Sequence, residues 1–266
     1  MSGPVARFTA LVERPEADLD LAEAALTLAQ GADPGVDVVR WLGELDALAA
    51  RIDDLDDLRR VLFAELRLRG DRTSYADPQN SLLHRVLSRR VGIPISLAVV
   101  AIEVGRRAGV PLEGIGMPGH FLVRAVGGGE LLDPFHGGAE IDEAGAEALF
   151  RATTRSGADL AFGPHLLPVV GPRAILARML ANLRVHYRQA PSARDLEWVL
   201  QMRLALPGAR ASEAAELAGA MAAQGRVREG AAVLEDAAVR ERRAGADPED
   251  AGLLHAHARA LRARLN

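Results

Sequence analysis

Apolar positions along the chain fall into three regimes, each predicting different elements. Over the first ~70 residues they recur at three- and four-residue spacing, the signature of amphipathic helices. LDLAEAALTLAQGADP (19–34) closes on Gly31 and Pro34, and VDVVRWLGELDALAARI (36–52) keeps Val38, Trp41, Leu42, Leu45 and Leu48 near one stripe. LDDLRRVLFAELRL (55–68) repeats the pattern after the acidic turn Asp53–Asp54. Three core-facing helices are expected.

The middle of the chain reads differently. A turn over Tyr75–Asn80 leads into SLLHRVLSRR (81–90), with Asn80 placed to cap that helix. Residues 95–104 are apolar except for Ser96 and Glu103, which predicts a helix buried almost all round. Gly105 and Gly109 thin its last turns, and Val110-Pro111 forces an extended exit. Alternation in HFLVRAV and ELLD on either side of Gly127-Gly128-Gly129 then predicts a hairpin.

Helical spacing returns over 173–190, 193–206, 211–225 and 226–245, broken at Pro191, Pro207-Gly208 and Gly225, with a last helix over 258–265. The pair at 211–245 has small residues at its crossing and a glycine turn, as in one tetratricopeptide unit of about 34 residues. One pair cannot bury its own face, so the flanking helices must supply neighbours.

Hairpin register decides whether His120 and Asp133 can meet, because successive strand residues alternate faces. A two-residue turn at Gly127-Gly128 sets Val126 opposite Gly129 and His120 opposite Phe135, so that Asp133 lies one diagonal step from His120 on the same face. An odd turn sends Asp133 to the other face. The even register, with a hydrogen bond between His120 and Asp133, is expected.

Composition narrows the chemistry. The 266 residues are 49% apolar and carry a formal charge of −4, enough for a substantial core and unsuited to a sequence-independent grip on nucleic acid. No apolar run reaches membrane-spanning length and the first residues show no apolar leader, so a cytoplasmic protein without membrane contact is expected. There is no cysteine, which removes thiol catalysis, disulfides and thiolate metal sites. Every one of the 32 basic residues is arginine, which removes Schiff-base chemistry and a P-loop.

Other candidates have structural readings. The acids Asp53, Asp54, Asp56 and Asp57 lack the central glycine and terminal glutamate of a calcium loop and suit a helix start. Glu103 and Arg107 stand in the order that favours an ion pair. His84 and His136 could join His120 and Asp133 around a metal, but ligand-type spacing is absent and none is assigned. His255 and His257 are two apart on a helix and do not share a face. The glycine run has no helix after it to make a phosphate cradle, and no cofactor is assigned.

The run DLDLAEAALTLAQ (18–30), the long stretch 80–124 from NSLLHRVLSRRVGIPISLAVV to PGHFLVR, then LLDPFHGG (131–138) and the helical tail resemble bacterial SirB-type proteins. That resemblance implies an α+β, predominantly helical fold: a transglutaminase-like, papain-like core with a small antiparallel sheet, plus C-terminal tetratricopeptide-like repeats. It divides the chain into a helical section 1–72, a core 73–165 and a tail 166–266. In the wider superfamily a cysteine at the start of a buried helix pairs with a His and an Asp on neighbouring strands; His120 and Asp133 take those two positions, and Pro94 falls in the nucleophile place. Two functions follow. One is a non-enzymatic binding or regulatory protein whose helical tail recruits an unidentified protein or peptide partner. The alternative is an amide or ester hydrolase using Ser96, His120 and Asp133, set against the preferred reading of Ser96 as a helix cap or first-turn residue.

Overall fold

A computed structural model describes residues 3–154, 161–189, 193–243, 245 and 248–263. The breaker Pro191 and the expected helix end beyond residue 263 lie outside the described residues. By its internal contacts the chain forms two compact units, Arg14–Met179 and Met1–Glu13 with Leu180–Asn266; helix α1 (Pro4–Val12) is in the latter. No helix among the described residues is long and apolar enough to cross a membrane.

In the larger unit, α2 (Leu21–Ala32), α3 (Val38–Ala49) and α4 (Leu55–Arg59) each begin at an aspartate that satisfies an otherwise orphaned N–H. Asp54 accepts from the Asp57 amide at 2.8 Å and Asp57 pairs with Arg60 at 2.6 Å, so the acidic run is a cap and an ion pair. Helix α4 stops short of the expected end at residue 68. Its last turns widen over Arg60–Glu65, the Leu66 amide reaches back to the Val61 carbonyl, and Arg67 at φ 59° turns the chain out. The outgoing β1 (Arg69–Gly70) pairs in parallel with β2 (Val91–Gly92).

Asn80 does not cap α5 (Leu83–Arg89). The buried carboxylate of Asp71 claims its side-chain amide at 3.2 Å, and Asp77 caps the short 3-10 turn over Pro78–Ser81 instead. On α5, His84 is buried with neither ring nitrogen hydrogen-bonded, and its Nε2 is 3.6 Å from Asp33 Oδ2, beyond hydrogen-bond reach. Burial, and secondarily Arg85, push its pKa below 6.5 against the pull of Asp33. The unfolded chain therefore binds this proton more readily than the folded one, and the folded state loses stability as pH falls from about 6.5 towards the depressed folded value. Replacing His84→Phe should remove that contribution: the melting temperature of the variant relative to the native chain should rise as pH drops below neutrality. Parallel melting curves across pH 5–8 would show that the ring does not titrate in this setting.

Helix α6 (Pro94–Ala108) is buried without interruption from Pro94 to Gly105. A side chain at Gly105 would come within 2.5 Å of the Val110 carbonyl, so only glycine lets the chain turn at Gly109 and fold back into the sheet. The sheet runs β6 (Ala139–Ile141), β5 (Leu131–Asp133), β4 (Leu122–Ala125), β3 (Leu112–Ile115), β7 (Val169–Val170), all antiparallel. Only the β4–β5 hairpin was legible beforehand, because the glycine run marks its turn; the other strands, of two to four residues, carry too little alternation to read. Helix α7 (Glu143–Thr154) covers the sheet by packing Ala146 and Leu149 on Ile115, Leu122 and Leu131.

Helix α8 (Pro172–Tyr187) begins in this unit, and its second half belongs to the smaller one with α9 (Ala193–Leu204), α10 (Ala211–Ala223), α11 (Val227–Arg243) and α12 (Pro248–Ala263). Gly225 at φ 79° makes the α10–α11 turn, and Gly230 lies so near the Ala218 carbonyl that a Cβ would sit 2.6 Å from it. Helix α12 starts at Pro248, well before the expected residue 258. Its core stripe begins with Ala251 and Leu254, and alanine is a weak apolar signal in an alanine-rich chain.

Candidate functional site

The site gathers around the β4–β5 hairpin. Its register is the even one, with Val123 opposite Leu132 and Arg124 opposite Leu131. His120 Nε2 and Asp133 Oδ1 are 3.0 Å apart. Both residues are buried.

The loop carrying His120 is fixed from two sides. Gly119, at φ 75°, lies where an added Cβ would be 2.8 Å from Thr153 Oγ1 on α7. Arg178 on α8 donates to the Met117 carbonyl at 3.2 Å and the His120 carbonyl at 2.9 Å, and its guanidinium lies 5.0 Å over the Phe121 ring. Burial of this half-buried guanidinium lowers the Arg178 pKa.

Asp133 ends β5 in an Asp-Pro turn, where Oδ1 accepts from the amides of Phe135 at 2.9 Å and His136 at 3.3 Å. Its Oδ2 is 2.6 Å from His136 Nδ1. One carboxylate therefore holds two imidazoles. An ionised carboxylate only accepts, so His120 presents its proton on Nε2 and His136 on Nδ1. Burial pushes the Asp133 pKa up, but the hydrogen bonds and charge of His120, then His136, outweigh it and the net shift is downward. The rings of His120 and His136 lie 6.0 Å apart at 22°, with Phe135 edge-on to both. Beside them opens a cleft of about 550 Å³ lined by Arg69, Asp71, Arg72, Val91, Phe135 and His136.

Ser96 is not part of this cluster. It is the third residue of α6, where its hydroxyl donates to the Asn80 carbonyl at 2.5 Å and accepts from the Ile93 amide at 3.1 Å. It makes no hydrogen bond to His120. Pro94 occupies the first position of α6, where a missing N–H costs nothing. His84 is held apart on α5 beside Trp41 and Asp33. Glu103 pairs with Arg107 and also with Arg106 at 3.0 Å, a buried structural ion pair. His255 contacts Arg242 across the α11–α12 pair. Sequence reasoning missed His136 as the second partner of Asp133 and Arg178 as the clamp on the loop. The D-P-F-H run could have disclosed the first, since an Asp-Pro turn returns its fourth residue to the carboxylate. Nothing local discloses the second, which lies 58 residues from His120.

Residues 29–181 match a family described as the transglutaminase-like superfamily. The chain is 44% identical over 135 residues to a UPF0162 protein of Xylella fastidiosa, covering 49% of this chain and 47% of that one. It is 36% identical over 186 residues to a UPF0162 protein of Pseudomonas aeruginosa, covering 65% and 66% respectively. It is also 37% identical over 143 residues to the mouse F-box only protein 21, covering 48% of this chain and 21% of that protein. The chain thus spans about half the length of the Xylella relative and a fifth of the mouse one. No solved structure matches it.

Proposed function

Because the chain belongs to the transglutaminase-like superfamily, we propose that it is a non-enzymatic binding or regulatory protein that keeps the superfamily's His–Asp pair without a nucleophile. The observation that carries the reading is the fate of the Ser96 hydroxyl, the candidate replacement for the thiol. Ser96 Oγ is buried and committed to the Asn80 carbonyl and the Ile93 amide. A serine attacks only when a base within hydrogen-bond reach takes its proton, and here backbone groups hold it. The chain has no cysteine to serve in its place.

Two further features support a recruiting role. Helices α10 and α11 pair closely at Gly230 and Ala218, as tetratricopeptide-like hairpins do, and α9 and α12 pack on either side of that pair. Such arrays present surfaces for peptide or protein partners, in keeping with the SirB-type likeness. The matched segment also forms only 21% of the F-box only protein 21 of mouse, consistent with a module built into larger proteins.

The test is covalent labelling. Incubation with a serine-directed fluorophosphonate, read by intact mass, should leave the full chain unmodified, and no amine should be incorporated into a glutamine peptide. An adduct mapped to Ser96, or incorporation abolished by His120→Ala, would establish the hydrolase or transferase alternative.

A further inference from the structure

We propose that His120, Asp133 and His136 bind a divalent transition-metal ion of the zinc type, with the remaining coordination completed by water from the adjoining cleft. The three residues each offer one donor atom, and these atoms all lie within 4.8 Å of one another. Two of the contacts lie inside the separation of about 3.3 Å that neighbouring ligands adopt around a tetrahedral zinc ion at about 2.0–2.1 Å per bond, so an ion would have to part them. His120 Nε2 to Asp133 Oδ1 is 3.0 Å and His136 Nδ1 to Asp133 Oδ2 is 2.6 Å.

A second imidazole on Asp133 is what calls for explanation. A carboxylate that merely orients one histidine needs one histidine, yet Asp133 holds two, with its own position set by the Phe135 and His136 amides. Those amides are outer-shell donors of the kind that keep a ligating carboxylate in place. The Arg178 clamp on the His120 loop and the Phe135 ring wedged edge-on against both imidazoles do the same for the nitrogens. His120 and Asp133 are 4% and 1% exposed, so little water competes for them, while His136 lines the cleft through which an ion can enter.

Donor type selects the metal. Two imidazoles and one carboxylate suit zinc, cobalt or nickel and not the all-oxygen shells of calcium or magnesium. On binding, the ion takes the lone pairs of His120 Nε2 and His136 Nδ1, and each ring carries its proton on the opposite nitrogen. Neither His120 Nδ1 nor His136 Nε2 is hydrogen-bonded among the described residues, so both can accept that proton.

The inference stands apart from the non-enzymatic reading, since a metal titration and a covalent-probe assay fail independently. The full chain, stripped with chelator, is titrated with cobalt(II) chloride and followed by its visible d–d absorption, then back-titrated with zinc chloride. One saturable equivalent is expected, displaced by zinc. The His136→Ala variant should bind more weakly by more than the roughly 10- to 100-fold that loss of an outer-shell partner costs. His255→Ala, on the tail, should titrate like the native chain. Should His136→Ala fail to unfold cooperatively, Asp133→Asn takes its place. Absence of a saturable band at excess cobalt, or a band of unchanged affinity in the folded site variant, overturns the proposal.

Discussion

Replacing Asp133 with alanine is expected to cost about 3 kcal/mol of folding stability, out of proportion to the size of the side chain. Its carboxylate is buried and serves four groups at once: the His120 and His136 rings and the amides of Phe135 and His136. Removal strands the buried Nε2–H of His120 and two backbone donors, and each unsatisfied donor costs about 1–3 kcal/mol, less whatever water restores. Asp133→Asn separates two roles. Its amide oxygen can still accept from the Phe135 amide, while its NH2 meets an imidazole that can switch tautomer to receive it. A loss of about 1 kcal/mol is expected for that variant. Equilibrium urea denaturation of both variants decides the matter. Equal losses would mean that charge, and not the count of hydrogen bonds, dominates at Asp133.

How much of this was legible in the sequence depends on the range of the interaction. Helices α2, α3, α6, α10 and α11 were visible because apolar spacing is a local property and glycines or aspartates mark their ends. The hairpin register was legible for the same reason: the turn at Gly127–Gly129 joins residues close in sequence, and a period of two fixes the face on which His120 and Asp133 lie. Strands β3, β6 and β7 were not, because pairing partners as distant as Gly114 and Val170 leave no local trace. Asn80 shows a different failure. Its place ahead of a helix is a sound capping signal, but a buried carboxylate at Asp71 made a stronger demand on the same amide. Ser96 reads correctly from local grammar as a helix-start residue, and the Asn80 carbonyl that fixes its hydroxyl could be known only from the fold. At the site itself, D-P-F-H contained the His136 contact, whereas the grip of Arg178 on the His120 loop required α8 to be in place.

Phe121→Ala is expected to produce a still larger loss, about 3–5 kcal/mol, as deletion of a fully buried aromatic ring does. Phe121 has no exposed surface, and its ring fills the space that the absent side chain of Gly114 leaves on the opposite strand, where a Cβ would come within 2.9 Å of it. Losing the ring opens a cavity beneath Arg178, whose guanidinium lies 5.0 Å above the ring and whose N–H groups hold the His120 carbonyl. The cavity and the partly released cation act in the same direction. Gly114→Val approaches the same contact from the other side: its methyl groups cannot fit without displacing the ring, which overpacking makes costly by about 1–3 kcal/mol. The double variant Phe121→Ala/Gly114→Val should then be more stable than the sum of the single losses allows, because the new side chain occupies space the ring has vacated. Chemical denaturation of the four proteins closes this cycle. Strict additivity would show that Gly114 and Phe121 do not share one packing site, and that the strand leading out of His120 is held in place by its backbone bonds alone.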